Sequence, residues 1–111
     1  MAIRIPIIAA VLVIAAPAFA GPKAIITHIA VGCPEIADAR EAEKMRIIRG
    51  MEGALKWGES RNCKLIERGE LAILDEGNLD PPGICVRLPE RVDDNGRCLW
   101  IPPGRTKSYE W

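Results

Sequence analysis

The feature that most constrains this chain is its set of four cysteines, Cys33, Cys63, Cys85 and Cys98. They are widely spaced, and even the nearest two, Cys85 and Cys98, are 13 positions apart. A structural zinc site needs close ligand pairs such as C-x₂-C, and thiol redox centres commonly use a C-x-x-C pair, so neither use fits this spacing. An even number of cysteines in a short exported chain instead predicts two disulfides.

Residues 1–20 predict export. Arg4 precedes an uncharged apolar run from Ile5 to Ala16, and Ala18 and Ala20 provide the small side chains of a cleavage site. This order is typical of a bacterial signal peptide, so we expect a periplasmic or secreted protein that begins at Gly21. Two alternatives stay open: the run approaches the roughly 20 residues of a membrane anchor, and the residues before Cys33 loosely resemble a lipidation site.

The mature part, residues 21–111, has the length of a single small domain. Such a chain buries only about 60% of its unfolded surface, so disulfides would compensate for a limited core. The whole chain has 15 basic and 15 acidic residues, and Arg4 is the only charged residue of the leader. Because the basic and acidic residues are equal in number, the chain has no excess positive charge that would attract nucleic acid or anionic lipid.

A helical section is predicted after Cys33. Pro34 suits the first helical position, and Glu35 and Asp38 complement the helix dipole in the early turns. Apolar residues at steps of three and four then predict one buried face, formed by Met45, Ile48, Met51 and Leu55 with Ile47 and Ala54 beside them. Gly50 favours a break, followed by a second short helix that ends at Gly58.

The remainder of the chain has the pattern of short strands. The residues from Lys23 to Val31 are rich in isoleucine and valine and predict one strand. After Cys63, further strands are predicted at 64–67, 70–75, 84–89 and 97–101. A loop over 76–83 and a turn at 93–96 (DDNG) connect them.

The last two strands suggest a disulfide connectivity. If Cys85 lies opposite Cys98, then Ile84 lies opposite Leu99 and Val86 opposite Arg97, and a cross-strand bridge closes a short loop. This pairing leaves Cys33 with Cys63, which would clamp the helical section at both ends. Pairing of Cys63 with Cys85 or Cys98 stays open, because spacing alone does not choose among three connectivities.

Three segments, CKLIERGELAILDE, ICVRL and RCLWIPPGRTK, resemble the strands of bacterial SH3-like domains in small secreted proteobacterial proteins. The resemblance implies an α+β fold in which a strand and helices over 21–62 precede a small, disulfide-braced SH3-like β-barrel over 63–111, as one compact unit. It also implies binding of wall polymers or peptides. A helical section replaces the family's opening strand.

No set of residues for catalysis converges in the sequence. His28 is the single histidine, neither serine lies in a G-x-S-x-G frame, and motifs for metals, nucleotides or cofactors are absent from the sequence. We therefore expect a protein that is not an enzyme and uses no metal or cofactor.

The functional expectation is a non-catalytic binding protein of the periplasm or cell envelope, with a wall polymer, peptide or protein as its partner. The residues predicted to make contacts are Arg87, Arg97, Trp100, Arg105, Tyr109 and Trp111. Trp100 suits either the core or a binding groove. The alternative is a small secreted inhibitor or immunity-type protein that acts on a wall hydrolase or toxin. The sequence leaves the ligand and the oligomeric state open.

Overall fold

The computed structural model describes residues 21–91 and 97–110. The predicted signal peptide, the predicted turn at 93–96 and the predicted contact residue Trp111 lie outside the described residues.

The fold is α+β, as predicted, and it consists of one interrupted helix and short antiparallel strands. The elements are β1 (Lys23–Ile26), β2 (Ala30–Gly32), α1 (Ile36–Gly58), β3 (Lys64–Ile66), β4 (Leu71–Leu79), β5 (Pro82–Arg87), β6 (Leu99–Ile101) and β7 (Thr106–Ser108). A single 3₁₀ turn, Glu59–Arg61, follows α1.

The strands form two sheets. The larger sheet has five strands in the order β6-β5-β4-β1-β7, and β2 and β3 form a separate pair. Backbone hydrogen bonds between Cys33 and Trp100, of 3.0 and 2.7 Å, link the end of β2 to β6. Among the described strands no closed barrel is found.

The predicted strand from Lys23 to Val31 is divided between the two sheets. β1 pairs with β4 and β7, whereas β2 pairs with β3. The chain leaves the ladder between them, where the Thr27 N–H donates to the Arg105 carbonyl at 2.8 Å. The segment therefore contributes an interior strand to the large sheet and one strand to the separate pair, a division that its continuous apolar pattern did not reveal.

Helix α1 is interrupted at Gly50, as predicted, and it ends at Gly58. Gly50 has φ 82°, in the left-handed region that side chains other than glycine rarely adopt. The helix begins at Ile36, two residues later than Pro34.

The predicted burial of Ile48 is wrong. This side chain is 74% exposed and its neighbour Ile47 is 69% exposed, while the fully buried helical side chains are those of Ala39, Ala42 and Ala54. The break at Gly50 changes the direction of the chain, so the apolar steps before and after it do not form one continuous face.

The predicted loop over 76–83 is also wrong. β4 continues to Leu79 and β5 begins at Pro82, so only Asp80 and Pro81 connect the two strands. Pro82 occupies the first position of its strand, where the missing N–H removes no bond from the interior of the ladder. The result is a hairpin with a very short connection.

Two disulfides are present, Cys33–Cys63 and Cys85–Cys98. The strand register behind the second one differs from the prediction by two residues, because Cys85 lies opposite Trp100 and Ile84 opposite Ile101. A shift of two keeps the same side chains on the same face of the sheet, so the cysteines still meet, with 5.3 Å between their Cα atoms. The sulfur of Cys33 is engaged in a disulfide, contrary to the lipidation alternative.

The core has two parts. The first lies between the large sheet and the β2–β3 pair and includes Ile26, Ile66, Val86, Leu99 and Ile101. The second lies between α1 and the β2–β6 link and includes Val31, Cys33, Ala39, Ala42 and Ala54, with Trp57 and Trp100 packed against it. The small alanines allow the helix to approach the strands closely.

Candidate binding groove

An open groove lies between the first half of α1 and the ends of β5 and β6. Its volume is about 230 Å³, and its walls are largely apolar. The apolar lining comes from Ile36, Ala39, Pro82, Ile101, Pro102 and Pro103. Arg40, Glu43 and Lys44, all on the helix, add charge at its edge.

Gly83 allows the strand to pack closely against the helix at this groove. A Cβ atom built on Gly83 would lie 3.1 Å from Cδ1 of Ile36 and 3.3 Å from Cε3 of Trp100. Both contacts are tight, so a methyl group here would require Ile36 and Trp100 to shift by a few tenths of an ångström. The half-buried Trp100 side chain packs against the core between α1 and the strands, next to Gly83 but outside the groove lining.

Glu43 joins the groove to the turn between β6 and β7. Its carboxylate accepts hydrogen bonds from Nε of Arg46 at 2.7 Å and from Nη2 of Arg105 at 2.6 Å. The hydrogen bond from Arg46 lowers the pKa of Glu43, and the positive charge of Arg105 adds to this against the opposing effect of burial. Glu43 is therefore held as an anion between two arginines.

The electrostatic balance at the groove is positive. The charged lining residues and their ion-pair partners comprise Arg40, Lys44, Arg46 and Arg105 against Glu41 and Glu43. The pair between Lys44 and Glu41, at 3.2 Å, is exposed on both sides and therefore weak. Arg40 is exposed and makes no ion pair with any described residue. An anionic ligand would meet Arg40 and Lys44 first.

The structure brings together two of the residues predicted to make contacts. Trp100 lies behind the groove and Arg105 is tied to its edge through Glu43. Arg87 lies beside Asp75, with 3.4 Å between Nε and Oδ1, and does not line the groove. Arg97 is exposed. Tyr109 is half-exposed in a separate shallow depression next to Lys23.

Sequence reasoning missed Arg40 and the prolines of the groove. The available signal was the helical spacing of Ile36, Arg40 and Glu43, which places them along one side of α1. The strand ends that face this side come from distant parts of the chain, so the groove itself had no local signal.

A second partly buried ion pair lies away from the groove and has a structural role. Arg91 donates to both carboxylate oxygens of Glu70, at 2.9 and 2.6 Å, and to the Leu65 carbonyl at 2.6 Å. Burial raises the pKa of Glu70, but the Arg91 hydrogen bond and the Glu67 N–H outweigh this effect and lower it. These contacts hold β3 against the start of β4.

Within residues 21–91 and 97–110, no group of three or more histidine, cysteine or acidic side chains could hold a metal ion. In the same residues, no helix is long and apolar enough to cross a bilayer.

Comparison of the chain with protein-family models, with curated proteins and with solved structures finds no match.

Proposed function

We propose that this chain is a non-catalytic binding protein of the bacterial periplasm or cell envelope, and that its groove binds peptide segments of the cell wall. The observation that carries the proposal is an apolar groove with a positive edge between α1 and the ends of β5 and β6. The two disulfides are compatible with an oxidising compartment outside the cytoplasm.

The lining favours a peptide over a glycan as the ligand. Its surface is aliphatic and rich in proline, and Trp100 does not line it, so it lacks an exposed aromatic face on which a sugar ring would stack. A volume of about 230 Å³ is below the roughly 300–1,000 Å³ of sites for drug-sized ligands. It suits one or two short apolar side chains.

The charges favour an anionic peptide. Wall stem peptides carry alanine methyl groups next to free carboxylates, which would match an apolar floor beside Arg40 and Lys44. Complementary charge of this kind contributes to specificity and to the rate of association.

The proposal includes an opened variant of the SH3-like arrangement. It is supported by the backbone link between Cys33 and Trp100, which connects β2 to β6, while β1 belongs to the same sheet as β6. Because β1 and β2 are consecutive along the chain, this link is one that an opened, curled form of such a sheet would contain. A binding surface at the end of such a curled sheet would be formed by its loops and the added helix.

The experiment is a sedimentation assay of the exported, oxidised protein with isolated peptidoglycan, followed by two soluble probes. One probe is the stem peptides released by an amidase, and the other is the glycan strands that remain. We expect binding to intact peptidoglycan and to the released peptides. Binding to neither the intact peptidoglycan nor the released peptides would refute the proposal. Binding to the glycan strands alone would refute a peptide as the ligand.

Two matched variants connect binding to the groove. Arg40→Glu reverses an exposed charge at the groove, and Arg68→Glu reverses an exposed charge in the turn between β3 and β4. We expect the first variant to lose binding and the second to retain it. Equal loss in both would mean that the interaction is a general charge effect unrelated to the groove.

A further inference from the structure

The tip of the β4–β5 hairpin presents an unusually exposed apolar side chain. Leu79 is 95% exposed, and every residue from Asp75 to Leu79 is exposed, so this half of the hairpin extends beyond the core. The tip is nevertheless ordered by its contacts: the strands stay paired as far as Leu79 and Pro82, and Nδ2 of Asn78 donates to the Pro81 carbonyl at 2.9 Å. Leu79 is thus held in a defined position in solvent.

The surroundings of Leu79 are acidic. Glu76 and Asp80 flank the tip, and there is no basic residue from position 70 to position 86. The tip therefore combines a branched aliphatic side chain with carboxylates. This is the chemistry that the groove, with its apolar walls and its exposed Arg40 and Lys44, would accept.

The tip does not fill the groove of its own chain. Pro82 lines the groove and lies directly opposite Leu79 in the hairpin ladder, yet Leu79 is almost completely exposed. The tip consequently stands at the edge of the groove and extends past it. If two copies were related by a two-fold axis at this edge, each tip would lie at the groove of the other copy, and the contact would close without further addition of chains.

We propose that a second copy of this chain occupies the groove through its hairpin tip, so that self-association and ligand binding compete. The competition rests on the proposed function, whereas the self-association does not. The nearly balanced charge of the chain opposes such contact very little. Because one hairpin tip and one small groove form each half of the contact, the dimer belongs to the small, weak class of interfaces and depends on concentration.

The test is sedimentation velocity of the oxidised protein over concentrations from micromolar to millimolar. We expect a monomer at the low end and a dimer at the high end. A buried leucine at the centre of a contact is an anchor, so Leu79→Asp should weaken association by roughly thirtyfold or more. The matched control is Ile48→Asp, which places the same charge at another exposed apolar residue and should leave association unchanged.

Complementation separates a direct contact from a folding defect. Leu79→Asp retains an intact groove and Arg40→Glu retains an intact tip, so neither variant should associate alone, but an equimolar mixture should form a heterodimer through one intact contact. A monomer at every concentration, no recovery in the mixture, or loss of association in Ile48→Asp would each overturn the proposal.

The two proposals fail in different measurements. Binding of released stem peptides is measured at a concentration where the protein is monomeric, and association is measured without peptide. A dimer that Leu79→Asp disrupts, together with an absence of peptide binding, would refute the proposed function alone. Peptide binding by a protein that stays monomeric would refute the self-association alone.

Discussion

Replacement of Glu43 by alanine should destabilise this protein far more than the same change at Glu41. Both residues lie on α1 and both have a basic partner three residues later. Glu43 also accepts from Arg105, 62 residues away in the chain, and its side chain is 26% exposed, whereas the Glu41 side chain is 47% exposed. The two variants gain the same helix propensity, so their difference isolates the long-range contact.

The expected difference is about 1–2 kcal/mol in the free energy of unfolding. A hydrogen bond to a charged group contributes about 1.5–3 kcal/mol, and partial exposure to solvent reduces this value. The loss at Glu41 should be about 0.5 kcal/mol or less, as for other exposed pairs. For a domain of this size, the difference corresponds to a decrease in Tm of about 5–15 °C.

The assay is thermal and urea unfolding followed by circular dichroism, with both disulfides intact. The pH dependence provides a second check, because the pKa of Glu43 is lowered in the folded state. The carboxylate therefore stabilises the protein at a pH above its unfolded pKa, and this contribution disappears as the pH falls through the lower folded value. Equal stability of Glu43→Ala and Glu41→Ala at neutral pH, or a difference that persists unchanged in strong acid, would refute the reasoning.

Three further predictions follow from other parts of the structure. Replacing Cys33 and Cys63 by alanine should destabilise the protein more than replacing Cys85 and Cys98. The expected difference in the free energy of unfolding by urea is about 0.7 kcal/mol, because the two disulfides close loops of different entropy, with sequence separations of 30 and 13 residues. A larger loss on removal of Cys85–Cys98 would contradict this reasoning. Gly50→Ala should cost about 1 kcal/mol or more, since φ is 82° there and a side chain is strained in that region, whereas Arg49→Ala, on the preceding helical turn, should be nearly neutral. Gly83→Ala should reduce peptide binding, because the added Cβ would crowd Ile36 and Trp100. The control, Gly77→Ala on the exposed half of the same hairpin, should bind peptide as the unmodified protein does. Equal binding by both variants would show that peptide binding does not need close packing at Gly83.

Parts of this structure were readable from local sequence. The interruption at Gly50 and the helix end at Gly58 depend on the conformational freedom and helix propensity of a few adjacent residues. The α+β composition follows from the change of apolar spacing after Cys63. The two disulfides follow from an even number of cysteines without close pairs, whereas their pairing stayed open among three connectivities until the strands were placed.

The tertiary structure decided the features on which the function depends. Ile48 is exposed and Ala39 buried because the direction of the helix relative to β2 and β6 selects the buried face, and no periodicity within the helix contains that direction. Leu79 is at the tip of an extended hairpin because the strands continue to pair where turn-forming residues predicted a loop. The groove lies where Gly83 packs closely against Ile36 and Trp100, which are separated from it by 47 and 17 positions. Contacts between such distant residues are set by the packing of whole elements, so local sequence indicates most of the helix and strands and the presence of disulfides, whereas the groove forms only when these elements pack together.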